Sequence, residues 1–169
     1  MDVNEMIIEE WARVCKEQFT IADVKFSVIG PGGGTNYSNI DLLAYDPRND
    51  SFFDYEVKWR ATEWVGATKS EKPENLVGQM IRPERQERIK RLIGESNYPK
   101  LKRVFITPKK WLQSPNGQSL VALLAQAQID LKYFEDVISE LQAAVKARGR
   151  YDSVVSQLVR MIGLCSSEA

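Results

Sequence analysis

Three residues, Asp41, Glu56 and Lys58, have the types and spacing for hydrolytic chemistry. Side chains alternate along an extended segment, so Phe52, Asp54, Glu56 and Lys58 share one face, while Phe53, Tyr55, Val57 and Trp59 share the other. Glu56 and Lys58 therefore project side by side. Asp41 interrupts the run Ile40 to Tyr45, which is otherwise apolar on both faces. A carboxylate there costs several kcal/mol if it stays charged and unpaired, so it requires a partner. If the two segments pair as a hairpin, two carboxylates and an ammonium converge. Like charges at that separation call for a cation, and a divalent ion with oxygen ligands meets the need. A water acidified by that ion is a nucleophile, which Lys58 can orient.

The chain has no histidine. Ser-His-Asp and Cys-His arrangements and histidine-based zinc sites are thereby excluded. Cys15 and Cys165 lie far apart without zinc-type spacing, and Cys15 reads as a small buried hydrophobe. Hydrolysis must then rely on carboxylates, lysine or a hard metal ion.

The positioning elements read as follows. Residues 4–19 form a helix with Asn4 as N-cap and Ile7, Ile8, Trp11, Val14 and Cys15 on one stripe. Val24 to Ile29 is a strand, followed by the loop Gly30-Pro31-Gly32-Gly33-Gly34. Ile40 to Tyr45 and Phe52 to Trp59 form an antiparallel hairpin across the turn Asp46-Pro47-Arg48-Asn49-Asp50. Residues 73–94 are helical, with Arg82-Pro83 kinking or splitting the helix and Gly94 ending it. Leu101 to Thr107 is a fourth strand, Gln118 to Ala127 a helix, and Ile129 to Phe134 a fifth strand. Helices over Asp136 to Lys146 and Tyr151 to Leu164 close the chain. This order predicts an α/β domain with a mixed central sheet flanked by helices, as one domain over residues 1–169.

Asn39-Ile40-Asp41, a spacer, then Glu56-Val57-Lys58 resembles the signature of the PD-(D/E)XK nuclease superfamily, which includes restriction endonucleases, Holliday-junction resolvases and repair nucleases. Asn39-Ile40 stands where the named pattern has a proline before the aspartate. The resemblance implies a restriction endonuclease-like core over residues 4–107, with 108–169 as a C-terminal elaboration. It implies Mg²⁺, replaceable by Mn²⁺, held by Asp41, Glu56 and the Val57 carbonyl, with Lys58 assisting the attacking water. It further implies an auxiliary glutamate on the first helix, for which Glu10 is preferred over Glu9. The expected activity is cleavage of DNA phosphodiester bonds, endonucleolytic, of restriction, repair or junction-resolving type. The rival expectation is a non-catalytic DNA- or protein-binding module on the same fold.

Charge distribution bears on partners. Residues 1–57 carry 11 acidic and 4 basic side chains, residues 82–110 carry 10 basic and 3 acidic, and the whole chain is neutral. Such asymmetry fits a metal cluster beside a phosphate-binding surface. Gln79, Lys69, Lys72, Arg82 and Arg85 are candidates for DNA contact or site support, and Arg82 and Arg85 belong to a series that Arg88 and Arg91 continue at three-residue spacing, spreading gradually around the helix. Gly32 to Gly34 offers backbone N–H groups to a phosphate. Trp59 belongs to the face opposite Lys58. With no long apolar run and no signal-like N-terminus, a cytoplasmic, membrane-free protein is expected. The apolar C-terminal helices suggest a homodimer.

Overall fold

The computed structural model describes residues 2–29, 33–59, 65, 72–148 and 153–159. Helix α1 (Val3–Cys15) starts at Asp2 rather than Asn4. The Asp2 carboxylate accepts from the N–H groups of Asn4 (2.8 Å) and Glu5 (2.9 Å), and Glu5 accepts from the Asp2 N–H (3.0 Å). This reciprocal box satisfies orphan helix-terminal donors, which is why it displaces Asn4 as the cap. The helix buries Ile8, Trp11 and Ala12.

Strands β1 (Phe19–Ile29), β2 (Thr35–Asp46) and β3 (Ser51–Val57) form an antiparallel meander. β1 starts five residues before the predicted strand. Its first stretch pairs Phe19 with Tyr45 and Ile21 with Leu43, although Phe19 and Ile21 remain exposed. Backbone pairing on the sheet edge, rather than apolar burial, sets that start.

The predicted helix over 73–94 is two helices, α2 (Pro73–Met80) and α3 (Pro83–Ile93). Arg82 between them is extended (φ −57°, ψ 134°), the conformation that Pro83 imposes on its predecessor. Gly94, at φ 83°, ends α3 in a conformation that favours glycine. A 3-10 turn (Glu95–Lys100) leads to β4 (Leu101–Thr107), and a second (Lys109–Gln113) to α4 (Pro115–Gln126). β5 (Ile129–Tyr133) and α5 (Phe134–Arg148) follow. Residues 154–159 are helical, after Ser153; residues 151, 152 and 160–164 of the predicted helix Tyr151 to Leu164, like Cys165 and Gly32, lie outside the described residues.

The sheet order is β1-β2-β3-β4-β5, with β4 parallel to both neighbours. The fold is thus α/β, a five-stranded mixed sheet flanked by helices. α1 and α5 cover the face bearing Leu42, Ala44, Tyr55, Val57, Val104 and Ile106. On the opposite face, α2 and α4 pack over Phe105 and Ile129, while Ile89 of α3 joins Val24, Phe26, Ile40 and Leu43. Cys15 is half-buried, beside the α1–α5 core. Among the described residues no helix is long and apolar enough to cross a membrane.

Candidate functional site

Asp41, Glu56 and Lys58 come together where β2 and β3 diverge. Ladder pairing ends at Leu42 with Tyr55. Asp41 and Glu56 are the next residues beyond that end, and Glu56, like Asp54, faces Arg85 of α3. In place of a ladder partner, the Val57 N–H donates to Asp41 Oδ2 at 2.7 Å. The Lys58 ammonium sits 2.5 Å from Glu56 Oε1 and 4.0 Å from Asp41 Oδ2. Both carboxylates are buried, whereas the Lys58 side chain is 31% exposed.

Two further residues complete the cluster. Asp54, two positions before Glu56 and on the same face, is fully buried. Arg85 of α3, also buried, meets it through a fork: Nε to Oδ2 at 3.1 Å and Nη2 to Oδ1 at 2.6 Å. Its Nη1 donates to Glu56 Oε2 at 2.6 Å. Of the two roles open to Arg85, DNA contact or site support, its burial and its carboxylate partners fit the second: it is an interior counter-charge to the cluster. Helical geometry explains the burial, because Arg85 and Ile89 share the stripe that α3 buries. The readable signal was Asp54 itself. A second carboxylate on the Glu56 face leaves Lys58 unable to balance the group, and an arginine from the next element supplies the missing charge.

Three carboxylates and two cations leave one negative charge in excess, and it falls on Asp41. Burial, then the charge of Glu56, pushes the Asp41 carboxyl up to about 7, against the opposing pull of Lys58 and the Val57 N–H. Burial pushes Glu56 in the same direction, but Arg85 and Lys58 outweigh it and hold that carboxylate below its usual range. For Asp54 burial prevails over the Arg85 fork, so its carboxyl lies above the usual range. Burial favours neutral Lys58, and Glu56 with Asp41 overcomes this, raising its ammonium above the ordinary value. A lone excess charge on a buried oxygen donor suits a hard divalent cation, which typically takes one or two carboxylates. Among the described residues no group of three or more Asp, Glu, Cys or His side chains has metal-binding geometry, so a cation here would rest on Asp41, Glu56 and backbone or water oxygens.

The first-helix glutamates are engaged elsewhere. Glu10 accepts from the hydroxyls of Ser153 (2.6 Å) and Ser156 (2.5 Å), and Glu9 from Thr20 (3.0 Å). The α1 carboxylate whose charge reaches Asp41 is Glu5, which the sequence reading did not single out. Thr107 is fully buried on the Phe105 face, one residue past the end of the β3–β4 ladder, and its hydroxyl has no partner among the described residues.

The remaining candidates are dispersed. Gln79 is half-buried on α2, off the stripe formed by Leu76, Val77 and Met80. Lys72 is exposed before α2, Arg82 and Arg88 are partly exposed, and Lys69 lies outside the described residues. Of the basic segment, Arg91 pairs with Glu87, Lys100 with Asp50 and Lys109 with Asp136. Trp59 packs against Phe134 at 4.6 Å between ring centroids, as its face predicts, yet stays 40% exposed. Comparison of the chain with protein-family models, curated proteins and solved structures gives no match.

Proposed function

We propose that the chain is a metal-dependent deoxyribonuclease with a PD-(D/E)XK, restriction endonuclease-like core, cutting DNA endonucleolytically. The observation that carries this reading is the juxtaposition of Asp41 and Glu56 across the open end of the β2–β3 pair, with the Lys58 ammonium against them. The order of a helix, three antiparallel strands, helices and a parallel strand over Val3–Thr107 supports the same reading.

Asp41 and Glu56 would hold Mg²⁺ or Mn²⁺. The Val57 N–H points at Asp41, and in extended backbone the carbonyl of the same residue points to that side, within the donor set. Bound there, the ion supplies a water of lowered pKa and offsets charge on the phosphate. Lys58 orients that water and stabilises the developing phosphate charge. Arg85 and Asp54 keep Glu56 in place. Glu5 is the helix-1 carboxylate we assign to the periphery of the site, in preference to Glu10.

The test is cleavage of linear, circular, single-stranded and branched DNA with Mg²⁺ or Mn²⁺, comparing the wild type with Asp41→Ala and Lys58→Ala. Loss of cleavage in both variants is expected; equal activity in all three proteins overturns the assignment. One observation favours the rival, a non-catalytic binding module: Lys58 and Arg85 already neutralise Glu56 and Asp54 without a metal. Calorimetric titration with Mn²⁺ separates the two, because the rival predicts no binding. Homodimerisation through the C-terminal region is part of the proposal, supported by the exposed Val154 and Leu158 of the 154–159 helix. A monomer at all concentrations in sedimentation disposes of it.

A further inference from the structure

The two cations of the cluster differ in how they are held. Arg85 is locked, with its fork on the fully buried Asp54 and its remaining arm on Glu56 Oε2. Releasing it would strand the fully buried Asp54 and leave Glu56 to Lys58 alone, so it stays. Lys58 is held by Glu56 Oε1 and, at 4.0 Å, by Asp41. It sits on a flexible four-carbon stem, partly in solvent, to which it can withdraw. Arg85 also occupies Oε2 of Glu56, leaving Oε1 as the oxygen available to an incoming ion. That oxygen is the one Lys58 contacts.

We propose that the Lys58 ammonium is a placeholder, occupying the cation position between Asp41 and Glu56 until a divalent ion displaces it, while the Asp54–Arg85 clamp fixes the Glu56 oxygen over which the two compete. This inference rests on the metal-site reading above and deepens it. The device keeps the buried carboxylates neutralised in the ion-free protein. It also ties the arrival of the metal to the release of the lysine into the position where it acts on water. The two oppose each other, since an ammonium and a divalent ion drawn to one carboxylate oxygen repel one another at that distance.

The proposal makes metal and lysine competitors, and two measurements read that competition. The first is Mn²⁺ affinity by calorimetry at one fixed pH and ionic strength for wild type, Lys58→Met and Lys58→Gln, with folding checked by circular dichroism. Removing the placeholder is expected to tighten Mn²⁺ binding about tenfold or more, even as cleavage is lost. The second uses the wild type alone: acetylation of Lys58 by a lysine-directed reagent, quantified by mass spectrometry with and without Mn²⁺. Release by the ion is expected to raise labelling of Lys58 several-fold. Wild-type binding that Lys58→Met or Lys58→Gln leaves equal or weakens, or Lys58 labelling that Mn²⁺ leaves unchanged, overturns the placeholder and leaves the metal site standing. Absence of Mn²⁺ binding in wild type and variants alike overturns both. Binding in the variants alone supports the placeholder in its strongest form.

Discussion

Asp41 carries the excess charge of the cluster, and its elevated carboxyl pKa is a statement about stability. The folded protein binds more protons than the unfolded chain between the ordinary value of 3.8 and about 7, so burial of Asp41 makes stability fall as pH rises through that window. Asp41→Asn keeps an oxygen to accept the Val57 N–H and removes the titration. In a metal chelator the variant is expected to unfold at higher temperature than wild type at pH 7–8, with a gain of roughly 0.5–2 kcal/mol, and to lose all cleavage. Thermal melts between pH 4 and 8 read this directly, and a variant no more stable than wild type at neutral pH contradicts the charge assignment. Arg85 behaves in the opposite sense. Arg85→Ala strands Asp54 in the interior and takes one of two cations from Glu56, with an expected loss of ~3–5 kcal/mol. Arg85→Lys restores only part of it, because an ammonium cannot reproduce the planar fork on Asp54. Urea titrations of the two variants check both statements, and an Arg85→Ala protein as stable as wild type refutes the clamp.

At the scale of elements, what was legible from sequence depended on whether a local rule or a tertiary contact decides. The same-face grouping of Asp54, Glu56 and Lys58 follows from strand alternation alone, and Arg82-Pro83 and Gly94 mark the α2–α3 break and the end of α3 by backbone sterics. The start of β1 at Phe19 was hidden because an edge strand with exposed Phe19 and Ile21 carries no burial pattern. Which of the arginines turns inward was hidden because three-residue spacing spreads them gradually around the helix, and only the burial of Ile89 fixes that Arg85 lies on the side of α3 that meets the sheet. Glu10 illustrates the same limit: its hydroxyl partners lie more than 140 residues away in sequence. The start of α4 adds a contact invisible in sequence. Ser114 caps the helix by accepting from the Gly117 N–H at 3.1 Å, and a Cβ on Gly117 would lie 2.4 Å from the Leu112 carbonyl oxygen. Since backbone cannot yield there without moving the 3-10 turn, Gly117→Ala is expected to cost about 1–3 kcal/mol, against the usual helical preference for alanine. Chemical denaturation measures the difference, and a stabilised variant would show that the turn and helix separate freely.

For the whole molecule, the proposed activity raises the question of how a neutral chain would hold DNA. The segment 82–110 has ten cations, but the fold directs many of them inward or onto neighbours. Arg85 serves the buried cluster, Arg91, Lys100 and Lys109 are ion-paired, Lys90 and Lys102 lie over the rings of Tyr98 and Phe53, and Arg103 donates to the Tyr98 hydroxyl. Arg82, Arg88 and Lys110 are what this segment has left for phosphate. Each neutralised phosphate contributes about −0.9 to the slope of log affinity against log salt, so this segment is expected to contribute a shallow slope of about −3 per protomer to duplex binding. Fluorescence anisotropy with a labelled duplex in Ca²⁺, between 50 and 300 mM salt, gives the slope; Arg82→Ala and Arg88→Ala are each expected to reduce its magnitude by about one. A steep slope near −8 that neither substitution changes would move the DNA interface away from this segment. With so few phosphate contacts from this segment, a single protomer of the proposed nuclease would hold DNA weakly through it at physiological salt. Useful residence would then depend on a metal-bridged contact at Asp41 and Glu56 or on a second protomer engaging the same duplex. The two sources separate cleanly, because Asp41→Asn removes the first without touching the second, and dilution below the dimer dissociation constant removes the second without touching the first.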